Sequence, residues 1–262
     1  MKRGVVIIGS GNVAWHMTAR LTNAGLAVQL YSRTDKDIPD YNKYFPDSVC
    51  ITDERSIRKD AAFYILCVND DAIRQAADII SFPLGADQVL VHTSGSVSSD
   101  ILRYKTRLYG VLWPIMSLTK LREVQHPDNI PFVVTASNQE AEYYLSRLTE
   151  KLTHNFSYAD DALRKKMHLA AVISNNFSNH LYALTYKYCV DNHIDFDKLN
   201  PIIEETIARM QGINPAMLQT GPAVRNDLIT IQEHLDMLGS DTALKKIYQQ
   251  LTNSIINMYK KS

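Results

Sequence analysis

Residues 9–14 carry the strongest chemical signal in the chain. They have the spacing G-x-G-x-x-A and follow directly on the apolar run 5–8. Gly9 permits a tight turn, Gly11 lets the main chain approach a pyrophosphate, and Ala14 allows close helix packing. The free N–H groups at the start of the following helix would face the anion. The pattern alone is weak, but a strand before it and a helix after it make it typical of a dinucleotide phosphate loop. The cofactor contacts predicted here are Gly9, Ser10, Gly11, Asn12 and Val13.

The next candidate site lies about twenty residues further on, where the second predicted strand ends. An NAD-binding chain usually places Asp or Glu there to hold the ribose 2′-hydroxyl. This chain has Ser32, Arg33 and Thr34 instead, a guanidinium and two hydroxyls that suit a 2′-phosphate. The alternative is a solvated arginine beside a turn. The missing acid favours NADP(H) as the cofactor.

Two further loops follow predicted strands and are expected at the same edge of the sheet. Ligands of open α/β sheets bind beyond the carboxyl ends of the strands. Val68 and Asn69 end one strand, and Thr93 and Ser94 follow another. All four are therefore predicted cofactor contacts. The alternative for residues 92–94 is an ordinary helix-capping loop.

His168 and Asn175 are the candidate catalytic residues. They are seven residues apart, almost two helical turns, and so share one face of a predicted helix. His168 is the predicted proton donor, because an imidazole exchanges protons near neutral pH, and Asn175 would orient the substrate. The alternative is a hydrogen-bonded His–Asn pair inside a helix-packing interface.

Three residues are candidate substrate contacts. Trp113 follows a strand and could cover the nicotinamide, although aromatic residues at strand ends more often belong to the core. Arg225 could hold a carboxylate through its two-pronged guanidinium, or it could join Asp227 in a salt bridge at a subunit interface. His234 lies on the same predicted helix, which is expected to start at Pro222 with Thr220 or Gly221 as its cap.

The elements that position these residues change character along the chain. Up to about residue 158, short apolar runs alternate with amphipathic segments, which predicts a doubly wound α/β sheet of the Rossmann type. The predicted strands are 5–8, 28–31, 62–68, 88–92, 108–112 and 132–135, and the predicted helices between them include 13–24 and 71–80. Beyond residue 159 only helices are expected, at 160–192, 196–211, 222–238 and 241–259, with a short turn near 215–219.

This change predicts two domains. Residues 1–158 would bind NADP(H), and residues 159–262 would form an all-helical domain for substrate binding and dimerisation. Sites of this kind commonly form in the cleft between domains, which is where we expect the nicotinamide to face His168 and Asn175.

Composition excludes several other classes of function. The 262 residues are 45% apolar and 21% charged, with a formal net charge of zero, so there is no basic footprint for nucleic acid. No run is long enough to span a membrane, and the apolar run near the N-terminus is too short for a signal peptide. We therefore expect a cytoplasmic protein. The cysteines at positions 50, 67 and 189 are widely spaced and predict buried thiols rather than a metal site.

Several of these segments resemble known nucleotide-binding domains. Residues 9–14, 32–34 and 68–73 are similar to the NADP-binding domains of pyrroline-5-carboxylate reductase, of deazaflavin-dependent NADP reductases and of β-hydroxyacid dehydrogenases. Residues 92–96, 166–175 and 220–234 resemble a bacterial family described as putative NADP oxidoreductases. That family has a Rossmann-like domain followed by a helical domain of unknown function. The similarity extends over nearly the whole chain.

The resemblance implies an NADP-dependent oxidoreductase with a helical dimerisation domain and no assigned substrate. One feature departs from the β-hydroxyacid dehydrogenases, which carry a catalytic Lys four residues before an Asn. Ala171 and Val172 stand four residues before Asn175 and Asn176, so that mechanism does not transfer.

The expected function is hydride transfer between NADP(H) and a small carbonyl, imine or hydroxy acid. A homodimer through the C-terminal helices is expected. The alternative is a non-catalytic NADP-binding module that senses redox state. The absence of a Lys four residues before Asn175 is the reason to retain this alternative.

Overall fold

The computed structural model describes residues 3–122 and 124–260. The chain divides into two compact units, one ending at Asn176 and the other beginning at Phe177. The first unit continues past the predicted domain boundary at residue 158. The two compact units are defined by packing, whereas the domains 1–158 and 159–262 were predicted from the function expected of each. The domain boundary at residue 158 therefore stays a prediction.

An eight-stranded sheet forms the centre of the first unit. Its spatial order is β3-β2-β1-β4-β5-β6-β7-β8. The bounds are β1 Val5–Ile8, β2 Val28–Tyr31, β3 Val49–Ile51, β4 Phe63–Leu66, β5 Val89–His92, β6 Tyr109–Pro114, β7 Phe132–Ala136 and β8 Phe156–Tyr158. Only β6 and β7 pair in antiparallel fashion within the part of the chain that the structure describes. The predicted α/β fold with a mainly parallel sheet and a helical C-terminal region is confirmed.

The central strands are buried on both faces, as their continuous apolar sequence predicts. Val5 and Ile7 of β1 belong to one hydrophobic cluster and Val6 and Ile8 to another. Since successive side chains of a strand point to opposite faces, these clusters are the two sides of a doubly wound sheet. The edge strands β3 and β8 were not predicted, because each has only three residues and is partly exposed.

Among the described residues of the first unit, five helices accompany this sheet. Their bounds are α1 Asn12–Asn23, α2 Ile38–Tyr44, α3 Ile73–Ile79, α4 Gln139–Thr149 and α5 Asp161–Ala171. Ala14, Met17 and Leu21 give α1 a buried face at helical spacing. The carboxylate of Asp160 caps α5 by accepting from the N–H of Leu163 at 2.7 Å.

The predicted helix over 160–192 is interrupted. A π-helical turn occupies Val172–Phe177 between α5 and the next helix. Four helices follow, α6 Ser178–Asp191, α7 Asn200–Arg209, α8 Leu228–Met237 and α9 Thr242–Tyr259. Short 3-10 turns at Phe196–Leu199 and Pro215–Met217 lie between them. In residues 3–122 and 124–260, no helix combines the length and the apolar character needed to cross a bilayer.

The predicted start of α8 at Pro222 is wrong. Asn226 has a φ of +52°, a left-handed conformation that cannot continue a helix from residue 222. α8 begins at Leu228 instead. Its cap is Asp227, whose carboxylate accepts from the N–H of Thr230 at 3.1 Å. The role predicted for Thr220 or Gly221 therefore belongs to Asp227.

Candidate functional site

The carboxyl ends of four neighbouring strands form one row along the sheet. In the strand register, Ile8 of β1 lies between Tyr31 of β2 and Leu66 of β4, and Leu66 lies beside His92 of β5. The strand order reverses at β1, because the chain moves out to β3 and then returns to β4 on the other side. Ligands of open α/β sheets bind at such a reversal.

The loop after β1 is held against the sheet at Gly9 and is open at Gly11. Gly9 has a φ of +115°, and its N–H donates to the carbonyl oxygen of Tyr31 at 2.9 Å. A Cβ on Gly9 would lie 2.3 Å from the carbonyl oxygen of Cys67. Gly11 has an ordinary φ of −76°, and a Cβ there would meet no described atom within 4 Å. Packing therefore requires glycine at position 9 but not at position 11.

The first turn of α1 presents main-chain N–H groups that no side chain caps. Gly11 is its N-cap residue, and the turn contains no acidic residue. Free amides and the positive end of the helix dipole attract anions. Because no side chain stands in front of them at Gly11, the loop fits a pyrophosphate. Of the other two predicted contacts here, Asn12 is exposed and Val13 half-buried.

A chain of hydrogen bonds crosses from the end of β2 to this loop. The hydroxyl of buried Ser32 donates to Ser10 Oγ at 3.1 Å, and Ser10 Oγ donates to Asp37 Oδ2 at 2.8 Å. The hydrogen bond from Ser10 holds the pKa of Asp37 below its usual value. Arg33 and Thr34 are exposed beside Ser32. Asp37 was not predicted as part of the site, because it lies five residues after the position that usually contacts the ribose.

The loop after β4 lies next to the phosphate loop. The Cγ1 of Val68 is 3.1 Å from the position that a Cβ on Gly9 would take. Asn69, the next residue, is exposed. On the other side of β4, the hydroxyl of Thr93 donates to the carbonyl oxygen of Leu66 at 3.3 Å. These predicted contacts thus lie along the same edge.

Residues 93–99, called the β5 loop here, are bonded internally. His92 is fully buried, and its Nδ1 accepts from the N–H of Ser94 at 3.2 Å. Ser94 Oγ in turn accepts from the N–H groups of Ser96 and Val97, each at 3.2 Å. Burial, reinforced by the positive charge of Arg164, lowers the pKa of His92 to about 4. His92 is therefore neutral at pH 7.

Arg164 of α5 anchors the β5 loop, although sequence analysis did not single it out. Its side chain is completely buried. Its Nε donates to the carbonyl oxygen of Gly95 at 3.3 Å, and its Nη2 donates to that of Val97. Its Nη1 donates to Thr135 Oγ1 at 2.6 Å and pairs with Asp161 Oδ1 at 2.7 Å. One side chain thus joins the loop, β7 and α5.

Asp161 completes this anchor. Its Oδ2 accepts from the hydroxyl of Ser98 and, at 3.0 Å, from the N–H of Ser99. Burial opposes ionisation of Asp161. The hydrogen bonds from Ser98, Ser99 and Arg164 outweigh that effect and hold the pKa of Asp161 below its usual value. A buried charged pair of this kind is stable only when such bonds satisfy both partners.

His168 lies one helical turn beyond Arg164 and packs against Trp113. The two ring centroids are 5.6 Å apart, and the planes are tilted by 55°. A Cβ on Gly95 would lie 2.6 Å from both His168 Cδ2 and Trp113 Cε2. Glycine is therefore required at position 95 by close approach. The structure brings together His168, Trp113 and the β5 loop, and His168 itself is half-buried.

Asn175 contacts the loop that follows β6, the strand that carries Trp113. Its Nδ2 donates to Ser117 Oγ at 2.5 Å, three residues after β6 ends. The shared helix face of His168 and Asn175 was predicted for an α-helix with 3.6 residues per turn. That geometry does not apply up to Asn175, because Asn175 lies in the π-helical turn. In the part of the chain that the structure describes, no hydrogen bond joins His168 to Asn175.

The two remaining predicted residues belong to the second unit. Arg225 is exposed. His234 of α8 is half-buried, and its Nδ1 is 2.8 Å from the hydroxyl of Tyr248 on α9. This contact joins two helices, which gives His234 a packing role beside its predicted role in substrate binding.

The three cysteines are free thiols. Burial raises the pKa of Cys67 to about 12 and also raises that of Cys50. Neither residue is a thiolate at neutral pH, and reactivity requires the thiolate.

Comparison with known proteins identifies the family. A model of a domain of unknown function, DUF2520, matches residues 130–255. The crystal structure of a putative NADP oxidoreductase from Bacteroides fragilis is 33% identical, covers 98% of both chains and superposes with a TM-score of 0.91. The chain belongs to the same family as this NADP oxidoreductase from Bacteroides fragilis. The resemblance stated from residues 92–96, 166–175 and 220–234 is confirmed.

Two other solved structures share the family's fold at low identity. An imine reductase from Myxococcus stipitatus in complex with NADP⁺ is 13% identical over 98% of this chain and 93% of its own, with a TM-score of 0.61. A prephenate dehydrogenase from A. aeolicus in complex with hydroxyphenyl propionate and NAD⁺ is 14% identical over 99% and 98%, with a TM-score of 0.59. These two proteins hold different nicotinamide dinucleotides. No curated protein matches the chain.

Proposed function

We propose that the protein is an oxidoreductase that transfers hydride between NADP(H) and a small carbonyl, imine or hydroxy acid. The observation that carries the proposal is the loop at Gly11. It lies at the strand-order reversal, its helix amides are uncapped, and packing gives no reason for glycine there. A ligand that brings a pyrophosphate to the main chain supplies that reason. Membership of the NADP oxidoreductase family supports the same conclusion.

Each loop along the sheet edge has a part in this proposal. Bound NADPH would supply the hydride. The amides of the phosphate loop bind the pyrophosphate, while Ser32, Arg33 and Thr34 bind the ribose 2′-phosphate. The nicotinamide half is held along the loops after β4 and β5. The contacts proposed there are Val68, Asn69, Thr93 and Ser94.

His168 is the proposed proton donor and Asn175 the residue that orients the substrate. The imidazole of His168 is half-buried, beside Trp113 and next to the β5 loop. In that position it can deliver a proton to the oxygen or nitrogen that receives charge during hydride transfer. Trp113 would form one wall of the site. Arg225 and His234 stay predicted substrate contacts.

Substitution of Gly11 by Ser tests the phosphate loop without weakening the fold. Serine is a preferred N-cap residue, and its side chain has free space and an ordinary φ at this position. The free energy of unfolding should stay equal or rise by a few tenths of a kcal/mol. The new hydroxyl occupies the amides that the pyrophosphate needs, so we expect the Kd for NADPH, measured by fluorescence titration, to rise at least tenfold.

Gly85→Ala is the matched control for this experiment. A Cβ there makes only ordinary contacts, the nearest at 3.4 Å, and NADPH binding should not change. Wild-type affinity in the Gly11→Ser variant would contradict the proposed site. Absence of saturable NADPH or NADH binding by the wild type would contradict the proposed function as a whole.

His168→Asn tests the proton donor. With NADPH and a 2-keto acid or a cyclic imine as oxidant, kcat should fall by about a hundredfold or more, while the Kd for NADPH changes little. Unchanged turnover would remove His168 from the mechanism. If NADPH binds but no such substrate consumes it, the redox-sensing alternative gains, for which the missing Lys before Asn175 is the specific argument.

Association into a homodimer is also proposed, together with a cytoplasmic location. Large apolar side chains are exposed on the helices of the second unit, including Tyr186, Val190, Ile202 and Ile207. Extended exposed apolar surface is characteristic of protein interfaces. Light scattering should give twice the monomer mass of 29.7 kDa. A mass equal to one chain at micromolar concentration would contradict the dimer.

A further inference from the structure

The loop between β6 and β7 crosses over to the phosphate loop. The N–H of Lys120 donates to Asn12 Oδ1 at 3.2 Å, and His16 Nε2 is 2.9 Å from the carbonyl oxygen of Thr119. Both partners belong to α1, more than a hundred residues earlier in the chain. The main chain of this loop is therefore tied to α1, the helix that follows the phosphate loop.

These ties hold the ammonium group of Lys120 in a defined place. Its Nζ is 3.0 Å from Asp37 Oδ1. It also lies 5.5 Å from the ring centroid of Trp15 and 5.3 Å from that of Tyr41, within the range of a cation–π contact. The Lys120 side chain is only 25% exposed. An ordinary surface lysine has no such set of partners.

The position of this ammonium is tied to the end of β2. Asp37, its partner, accepts from Ser10, and Ser10 accepts from Ser32. Ser32 directly follows β2, where dinucleotide-binding sheets read the 2′ position of the adenosine ribose. Lys120 thus belongs to the same hydrogen-bonded corner as Ser32, one of the proposed 2′-phosphate residues.

Binding of a 2′-phosphate in this corner would require the positive charge of Lys120. A phosphate monoester carries nearly two negative charges at pH 7. The ionised carboxylate of Asp37 would repel it, and without Lys120 the exposed side chains of Arg33 and Lys36 would have to balance both groups. Like charges disfavour each other by an amount that grows as water is excluded. Lys120 pairs with Asp37 and offsets its charge, so that the carboxylate no longer repels the phosphate.

We propose that Lys120 is a specificity-determining residue that favours a dinucleotide with a 2′-phosphate over one with a 2′-hydroxyl. The inference rests on the proposed function. Asp37 and the two aromatic rings hold the ammonium in the corner, so little side-chain entropy is lost when the phosphate binds. NADH lacks the 2′-phosphate and gains little from this cation.

The test measures binding rather than activity. Lys120→Met keeps the length and apolar character of the stem and removes the charge. We expect the Kd for NADPH to rise at least tenfold and that for NADH to change less than threefold. Calorimetry with adenosine 2′,5′-bisphosphate and with adenosine 5′-monophosphate should give the same contrast. Lys43→Met is the matched control, since Lys43 also lies over a tyrosine ring, at 4.9 Å from the centroid of Tyr44, and it should change neither Kd.

Two further variants keep the proposal testable if Lys120→Met does not fold. Lys120→Arg retains the charge and should retain the preference for NADPH. Asp37→Asn removes the repelling carboxylate and should raise the ratio of NADPH to NADH affinity severalfold. Equal losses for both dinucleotides in Lys120→Met, or a lower ratio in Asp37→Asn, would overturn the inference. If the wild type binds neither dinucleotide, the proposed function fails instead.

Discussion

The phosphate loop and the β5 loop lie at the same edge of the sheet but are built in opposite ways. The phosphate loop packs through Gly9 and leaves the amides at the start of α1 uncapped. The β5 loop uses its amides, carbonyls and hydroxyls in hydrogen bonds with itself, with Arg164 and with Asp161.

Under the proposed function, this difference separates a region that would receive the dinucleotide from a region that would support it. Unpaired main-chain groups are costly when buried, so amides that stay open at a helix start suit an incoming anion. The fully bonded β5 loop instead offers rigidity, and the close approach at Gly95 fixes the position of His168 and Trp113. Substitutions in the two regions should therefore affect different quantities.

The largest effect is expected from Arg164→Met. The substitution removes four hydrogen bonds and leaves the partly buried carboxylate of Asp161 without its cation. Breaking a buried pair by removing one partner costs about 3–5 kcal/mol. Urea unfolding should show a loss of this size, whereas Gly11→Ser should show none. Lys165→Met, an exposed neighbour on α5, is the control.

A loss below about 1 kcal/mol for Arg164→Met would mean that the β5 loop holds its shape without this arginine. The two loops would then differ only in their hydrogen bonds and not in their contribution to stability. The bonds that His92 and Ser94 make within the loop would then account for its shape.

The second prediction concerns pH. The folded protein holds the pKa of His92 at about 4, against an ordinary value of 6.5. Because folding lowers the pKa of His92, burial of its neutral imidazole contributes fully to stability above pH 6.5. This contribution is lost as the pH falls towards 4. The expected loss over this window is about 3 kcal/mol.

His92→Gln isolates this contribution. The Gln amide can still reach the carbonyl oxygen of Ser98, to which His92 Nε2 is bonded at 3.4 Å, but it does not titrate. The wild type should therefore lose more stability than the variant between pH 7 and pH 4.5 in urea unfolding. Parallel curves for the two proteins would show that burial of this imidazole is not linked to folding.

The strand, turn and helix around Gly9 could be predicted because their signal is local. A strand, two glycines, a small residue and a helix follow one another within residues 5–24, and each has a meaning that does not depend on distant residues. The buried strands could be predicted for the same reason, since runs such as 89–91 are apolar throughout. The weakest predictions were at Pro222, where Asn226 changes the backbone, and at Val172–Phe177, where no residue type announces a π-helical turn.

The anchor of the β5 loop could not be predicted, because its partners are far apart in sequence. Arg164 bonds to residues 29 and 69 positions away. In the sequence it precedes Lys165 and Lys166 and looks like part of a solvated face. Only the folded sheet, in which His92 of β5 and Thr135 of β7 lie on either side of Val111 of β6, gives this arginine a buried place. Asp37 and Lys120 were missed for the same reason.

The smallest loss of stability is expected from Ser98→Ala, which removes a single hydroxyl from the anchor of the β5 loop. The hydroxyl of Ser98 donates to Asp161 and caps the short turn at Ser99–Leu102 by accepting from the N–H of Asp100 at 3.3 Å. Its loss should cost about 1–2 kcal/mol at pH 7. Ser96→Ala, the control, removes a hydrogen bond to exposed Asp70 and should cost less, because exposed charges stay hydrated.

The pH dependence decides whether Asp161 is the cause. The folded pKa of Asp161 lies below its ordinary 3.8, so the stability that its ionised form contributes is present above pH 3.8 and is lost as the pH falls through the folded pKa. Ser98→Ala reduces that contribution, so the difference between wild type and variant should shrink below about pH 3.8. A difference that stays constant down to pH 3 would assign the effect to the lost cap on the turn, and the β5 loop would then be anchored by Arg164 alone.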